Sequence, residues 1–272
     1  MARTALVTGA SVGIGAAIAR QLLADGYIVY AGARRMELMA ALRGAGAHVL
    51  ALDVTDEASM AAAAAACGPV DVLVNNAGYG SFGALEDVPL SEARRQFEVN
   101  VFGLARLTQL VLPGMRARGA GKIVNITSVA GKMHQPFGGW YHATKFAVEG
   151  MSDCLRMEVA PFGIDVIVIE PGAIATDWPE VARAHLLKAS GAGAYAEGAA
   201  RHALMLSGAQ KAKAASPPEV VARTVSRALK AKRPRTRYAA GGGAKGILLA
   251  RWLLPDRVFD RVMRIVIAGM AR

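Results

Sequence analysis

Two cysteines in 272 residues, Cys67 and Cys154, are too few for a disulfide framework and lack metal-ligand spacing. Cysteine use of this kind fits a reducing cytoplasm. The five histidines form no cluster with cysteine or carboxylate, so no metal site is expected. Apolar residues make up 53% of the chain, enough to fill a sizeable core. Yet no apolar run reaches the ~18 residues that read as a membrane span. Met1-Ala2-Arg3-Thr4 leads straight into a strand-like run, and no cleavable signal peptide is expected there. Aromatic residues are sparse, at 6%, and are not interleaved with charge, which argues against a single-stranded nucleic-acid binder. Acidic residues are scarce in one region only. Residues 201–272 hold 3 Asp and Glu against 16 Lys and Arg, whereas residues 1–200 hold 18 against 16. The net charge of +11 therefore belongs to the C-terminal stretch. A basic stretch can meet an anionic membrane surface, nucleic acid or an acidic substrate, or simply form a solvated face.

What is present is alternation. Short β-rich runs at Thr4–Val7, Ile28–Ala31, His48–Leu52, Val70–Val74, Lys122–Ile126, Asp165–Ile169 and Arg237–Ala240 are separated by longer helical patterns. This order predicts one α/β domain, a Rossmann-like, doubly wound parallel sheet with helices on both faces. Thr55 is positioned to cap the helix that runs into an alanine-rich segment. A long helical stretch spans Ser91 to about Arg116, and another runs from about Trp140 to Pro161. Residues 177–215 lose strand patterning and read as a mobile, partly helical insertion covering a substrate. Residues 1–240 are expected to form the catalytic domain and 241–272 a basic, apolar extension.

Two constellations carry chemistry. A glycine turn, Thr8-Gly9-Ala10-Ser11-Val12-Gly13-Ile14-Gly15, joins the first strand to the first helix. There the backbone can approach a pyrophosphate and the helix N-terminus can supply donors. The second strand ends in Ala33-Arg34-Arg35 without a carboxylate. An acidic residue at this place holds the ribose of NAD, whereas a guanidinium suits the 2′-phosphate of NADP. NADP (NADPH) is therefore expected, with NAD second, and Arg34 ranks ahead of Arg35; solvated loop charges are the competing reading. Further on, Ser128 precedes Tyr141 and Lys145, a Tyr-x-x-x-Lys pair on one helix face. An ammonium beneath a phenol would lower its pKa and make it a usable acid and base near neutrality.

With these motifs in their order, the chain resembles the short-chain dehydrogenase/reductase family, densely over residues 3 to 176. The Thr8–Gly15 turn, Asp53-Val54, Asn75-Asn76-Ala77-Gly78, Asn100, Ser128, Tyr141, Lys145, Pro171-Gly172 and Thr176 match its motifs. The resemblance implies that Tyr141 donates or accepts the proton and that Ser128 steadies the developing charge. It also implies that Lys145 tunes Tyr141 and binds the nicotinamide ribose, while Asn100 holds a water. Gly9, Ser11, Gly13, Ile14 and Gly15 would face the pyrophosphate, Asp53 and Val54 the adenine, and Asn76, Ala77 and Gly78 the adenosine-side wall. Pro171, Gly172, Ile174 and Thr176 would lie at the carboxamide. Val12 stands where many members carry Ser.

The C-terminal extension looks like those of members acting on retinoids, steroids and other lipophilic alcohols or ketones. An apolar alcohol or ketone is the expected substrate, and a homodimer or homotetramer the expected assembly. The pocket is expected to draw on 79–82, on 133–140, and on Trp178, Leu186, Leu187, Tyr195 and Met205. The extension can cover the pocket, pack on a partner subunit, or make weak peripheral contact with a membrane; packing is preferred because Pro255 interrupts it. A non-catalytic NADP-binding sensor, a 3-oxoacyl reductase-type enzyme and a sugar-nucleotide epimerase are the alternatives.

Overall fold

The computed structural model describes residues 2–211 and 215–270. Seven strands form one parallel sheet in the order β3-β2-β1-β4-β5-β6-β7. They are β1 (Thr4–Thr8), β2 (Ile28–Ala33), β3 (His48–Ala51), β4 (Val72–Asn75), β5 (Gly121–Ile126), β6 (Ile164–Pro171) and β7 (Arg237–Ala240). The central strands are almost continuously buried and read as near-unbroken apolar runs, because helices cover both faces. The predicted sheet and its seven strands are thus present. On one face lie α1 (Gly13–Ala24), α2 (Ala40–Gly44) and α9 (Glu219–Lys230), whose apolar residues join Val7, Val29, Val124 and Ile167 in one core. The other face carries α3 (Glu57–Cys67), α5 (Gly103–Arg118) and α6 (Gly139–Val159).

The helix leading into α5 is not regular. It begins as α4 (Leu90–Phe97), passes through a π turn at Glu98–Phe102, and continues as α5. Asn100 lies inside that π turn, a local widening that often marks a functional position. The cap of α3 also departs from expectation. Asp56, not Thr55, accepts from the N–H groups of Ala58 (2.8 Å) and Ser59 (3.2 Å). Thr55 instead donates its hydroxyl and its N–H to Asp53, at 2.8 and 2.9 Å.

The insertion is more ordered in secondary structure than its sequence suggests: α7 (Trp178–Ser190) and α8 (Ala196–Lys211) pack together. Positions 212–214 of that segment lie outside the described residues. Two last helices, α10 (Ala244–Leu253) and α11 (Asp256–Met270), flank Pro255. The first packs beside β7 and the second on α8, so the extension leans on its own domain.

Candidate active site

The strand order reverses between β1 and β4, and in open α/β sheets a ligand crevice forms at such a switch point. The predicted residues converge on that C-terminal edge. The glycine turn follows β1, with Gly9 and Gly13 at φ +65° and +57°, a region glycine enters freely. A Cβ on Gly15 would lie 2.3 Å from the Gly9 carbonyl oxygen, so the turn closes only around a bare glycine. Ser11 and Ile14 sit on the same turn, half-buried. The turn is clamped from β4. Asn76 donates its amide to the carbonyls of Thr8 (2.9 Å) and Gly9 (3.2 Å). The Thr8 hydroxyl accepts from the N–H groups of Asn76 and Ala77 at 3.0 and 2.9 Å. Asn76 therefore shapes the turn with its side chain, more than it walls a ligand.

Val12 precedes α1 and offers no side-chain cap. The first-turn N–H groups and the positive end of the helix dipole consequently point into the crevice, which suits a pyrophosphate. Arg34 and Arg35 are both exposed at the end of β2. Burial would raise the Asp53 carboxyl, but two hydrogen bonds from Thr55 and the positive charges of Arg34 and Arg95 win and hold it low. Arg95, on α4, thus joins Arg34 at the nucleotide end of the crevice. No motif contains it, so nothing in its local sequence signals this place. Val54 is buried beside Asp53.

At the other end, Ser128 lies close enough to the Tyr141 hydroxyl to lower its pKa, while its own hydroxyl donates to the Pro171 carbonyl at 3.4 Å and accepts from the Ala130 N–H at 3.1 Å. Lys145 follows one turn later, buried, with its Nζ 5.9 Å from the Tyr141 ring centroid. That Nζ donates to the Ile126 carbonyl at 3.0 Å. The expected lowering of the Tyr141 pKa is not what this geometry gives. Burial pushes Tyr141 up to about 12 and only Ser128 opposes it. The ammonium lies over the ring and not at the hydroxyl, which explains its weak pull. Burial brings Lys145 itself down to about 8, against the charge of Glu149.

Asn100 uses its side chain structurally. Its amide donates to the Tyr79 carbonyl (2.9 Å) and the Thr144 hydroxyl (3.1 Å), and accepts from the Tyr79 N–H (3.0 Å). Gly78 stands against it: a Cβ there would lie 3.1 Å from Asn100 Oδ1 and 3.9 Å from Lys145 Nζ. Beyond β6, Pro171 closes the strand, and Gly172 packs against Gly242, where a Cβ would meet the carbonyl at 2.2 Å. Ile174 turns its side chain into the core, so only its backbone can serve the crevice. Thr176 reaches the glycine turn, 3.2 Å from where a Gly13 Cβ would stand.

Tyr141 shares an apolar cluster with Phe82, Leu186 and Met205, packed by Phe137 and Trp178. Trp178 covers the Tyr141 ring at 5.0 Å between centroids. Two expected pocket residues lie elsewhere. Leu187 is exposed, and Trp140 lines a separate groove with Phe97 and Phe102. A cavity of about 650 Å³ opens beside Phe137, lined also by Ala84, Leu85, Glu86, Pro136 and the expected Tyr195. His134, within the 133–140 stretch expected at the pocket, is bound to Asp260 of α11 at 2.7 Å. Among the described residues no group of His, Cys, Asp and Glu could hold a metal ion.

The fold and this crevice define a nicotinamide-dinucleotide type of α/β protein. The short chain dehydrogenase family profile matches residues 3–186, and the chain belongs to that family of oxidoreductases. It is 36% identical over 272 residues to a probable short-chain type dehydrogenase/reductase, VdlC, from Helicobacter pylori, covering 98% of this chain and 99% of that one. An NADPH-dependent 3-dehydrocapnine reductase from Ornithobacterium rhinotracheale is 35% identical, over 96% and 95% of the two chains. A 3-ketodihydrosphingosine reductase from Bacteroides thetaiotaomicron is 41% identical over 180 residues, 64% and 65% of the two. Among solved structures, a short-chain dehydrogenase from Streptomyces avermitilis superposes with TM-score 0.80 at 38% identity, covering 97% and 96%. One from Burkholderia cenocepacia in complex with NADP gives 0.77 at 25% identity, covering 96% and 97%. One from Burkholderia phymatum, in complex with NAD, gives 0.79 at 26%, covering 97% and 95%. Both cofactors thus occur among the chain's structural neighbours.

Proposed function

We propose that this protein is an NADPH-dependent reductase of a ketone carried on a long apolar chain, able to run in reverse on the corresponding secondary alcohol. The observation that carries the reading is buried Tyr141 with buried Lys145 over its ring, Nζ 5.9 Å from the centroid, and Ser128 close by, at the switch-point edge of the sheet. The uncapped α1 N-terminus and the glycine turn suit a dinucleotide pyrophosphate. Arg34, with the charge of Arg95 on the same Asp53, suits a 2′-phosphate, and Lys145 and Thr176 would serve the nicotinamide end. The bound nicotinamide supplies hydride chemistry, and the protein supplies placement and protons.

Tyr141 is the proton donor. Burial keeps its phenol protonated at neutral pH, ready to give its proton to the oxygen on which charge develops. Ser128 donates to that same oxygen and stabilises it in a dry site. The π turn at 98–102 frees main-chain groups around Asn100, where a water can pass a proton toward Lys145.

Substrate class follows from the walls. Phe82, Phe137, Trp178, Leu186 and Met205 pack as an apolar cluster around Tyr141, and the 650 Å³ cavity that shares Phe137 with it, lined otherwise by Ala84, Leu85, Glu86, Pro136 and Tyr195, offers room for a chain. Two relatives are named as a 3-dehydrocapnine reductase and a 3-ketodihydrosphingosine reductase, and both names, with the apolar C-terminal extension, support the reduction of a ketone on an apolar substrate. Assembly as a homodimer or homotetramer belongs to the same reading, with exposed Phe102 and Phe146 available for the contact.

NADPH oxidation against a panel of 3-keto long-chain amines, aliphatic ketones, retinoids and acyl thioesters tests the function. Tyr141→Phe should lower kcat/KM by about 100-fold or more while leaving NADPH binding within about twofold. An unchanged rate in that variant would overturn the assignment.

A further inference from the structure

The C-terminal helices leave a large apolar surface uncovered. Trp252 is 81% exposed and Ile265 71% exposed, both well beyond what a solvated helix needs. On α10, Leu249, Trp252 and Leu253 share one face with Lys245, at i, i+3, i+4 spacing behind it. On α11 the residues sort into three stripes. Phe259, Met263 and Ile267 turn inward; Phe259 is buried and Ile267 packs on the Tyr141 cluster. Val258, Val262, Ile265 and Val266 form an exposed apolar stripe next to them. Arg257, Arg261 and Arg264 form an exposed basic row beyond that stripe. None of these three enters an ion pair among the described residues, and neither does Lys245. The two acidic residues of α11 are already engaged, Asp256 with Arg251 and Asp260 with His134, each at 2.7 Å.

We infer that this face is a docking surface for an anionic lipid bilayer. An apolar stripe flanked by a basic row, with exposed Trp252 on the preceding helix, suits the boundary between acyl chains and phosphate headgroups. The charge decides between occupants. A second copy seated about a two-fold axis would bring Arg257, Arg261 and Arg264 toward their own like charges. An anionic headgroup layer answers them directly. No helix among the described residues is long and apolar enough to cross a membrane, so the contact is peripheral. The inference deepens the proposed function, on which its meaning for substrate supply rests. Through Ile267 and the His134–Asp260 bond, α11 touches both the Tyr141 cluster and the loop beside it. A chain leaving the bilayer at this face has a short path to that cluster.

The test is co-sedimentation of the full chain with sucrose-loaded vesicles, of phosphatidylcholine alone or mixed with phosphatidylglycerol. Binding to the mixed vesicles at low salt is expected, with little to phosphatidylcholine alone and release by salt. Arg257→Gln, Arg261→Gln and Arg264→Gln together should weaken partitioning by on the order of a hundredfold, at about fivefold for each charge. Ile265→Ser should weaken it further, and brominated lipid should quench Trp252. Because all four positions are exposed, the variants should keep wild-type turnover of a water-soluble ketone, which reports an intact fold. Absence of sedimentation with the mixed vesicles overturns the inference. So does a dimer in light scattering that Ile265→Ser dissociates. Vesicle binding by a protein that turns over no ketone would sink the proposed function and leave the docking surface standing.

Discussion

Replacing Lys145 by Met should stabilise the protein while removing its activity. The amine is buried and its pKa falls from the ordinary 10.5 to about 8. At about 1.4 kcal/mol per pH unit, keeping that ammonium charged inside the fold at neutral pH costs about 3 kcal/mol relative to the unfolded chain. Truncation to the isosteric thioether forfeits the 3.0 Å bond to the Ile126 carbonyl, worth about 1 kcal/mol. A net gain of about 2 kcal/mol at pH 7 is the result. The pH dependence makes the reasoning refutable. Between about pH 8 and 10.5 the unfolded lysine holds a proton that the folded one has lost, so the unfolded state binds more protons there. Wild-type stability must then rise with pH through that window on account of Lys145. Cys67, raised by burial from 9.0 to about 12, works in the opposite direction above pH 9, because the unfolded thiol loses its proton first. The difference between wild type and Lys145→Met cancels the cysteine. Urea unfolding of both proteins at steps from pH 7 to 10.5 should show the variant's advantage shrinking and reversing, by about 3 kcal/mol in total. A stability difference that stays flat across the window would refute the buried-ammonium account.

Arg34→Ala should weaken NADPH binding by about tenfold or more and leave NADH nearly untouched, with Arg95→Ala smaller in the same sense; fluorescence titration with both cofactors reads the ratio, and an unchanged ratio would remove Arg34 from the 2′-phosphate site. Gly15→Ala places a Cβ 2.3 Å from the Gly9 oxygen and 2.5 Å from the Asn76 amide, so thermal unfolding should show a loss of about 1–3 kcal/mol and calorimetry a weaker dinucleotide. Asp56→Ala removes the true cap of α3 and should cost about 1 kcal/mol in urea unfolding; Thr55→Ala, which frees one bond to Asp53, should cost less.

The sheet was legible because its signal is local. Strands buried on both faces need unbroken apolar runs, and β4, β5 and β6 carry them in Val-Leu-Val, Ile-Val and Val-Ile-Val-Ile. The glycine turn was legible for the same reason, since positive φ at Gly9 and Gly13 is written in residue type. What escaped depends on contacts distant in sequence. Arg95 reaches Asp53 from another layer of the fold, and an Arg pair inside a helix carries no sign of that. The π turn around Asn100 has no composition of its own. Thr55 read as the cap of α3, but Asp53 captures its hydroxyl and the role falls to Asp56. His134 meets Asp260 of the last helix, 126 residues away, and nothing near either residue in sequence signals that contact.

The pair of residues that defines the crevice illustrates a conflict resolved in favour of function. Burial pushes Tyr141 and Lys145 in opposite directions, one up to about 12 and the other down to about 8. Both movements disfavour charge, as dry apolar surroundings must. A tyrosine so placed is a poor base and holds its proton through the neutral range, which favours giving a proton to a developing alkoxide over taking one from an alcohol. Lys145, meanwhile, stays largely protonated at neutrality, with Glu149 one turn further along the same helix opposing the loss. Glu149 is itself held by Arg237 (2.9 Å), Lys132 (3.1 Å) and Thr127 (2.7 Å). That buried network pins edge strand β7 to α6 and sets the field at the amine from behind. The costs of keeping these polar groups out of water are met by the apolar layers on either side of the sheet. On the proposed mechanism, reduction is the direction this geometry favours, because the Tyr141 phenol already holds its proton before any substrate arrives.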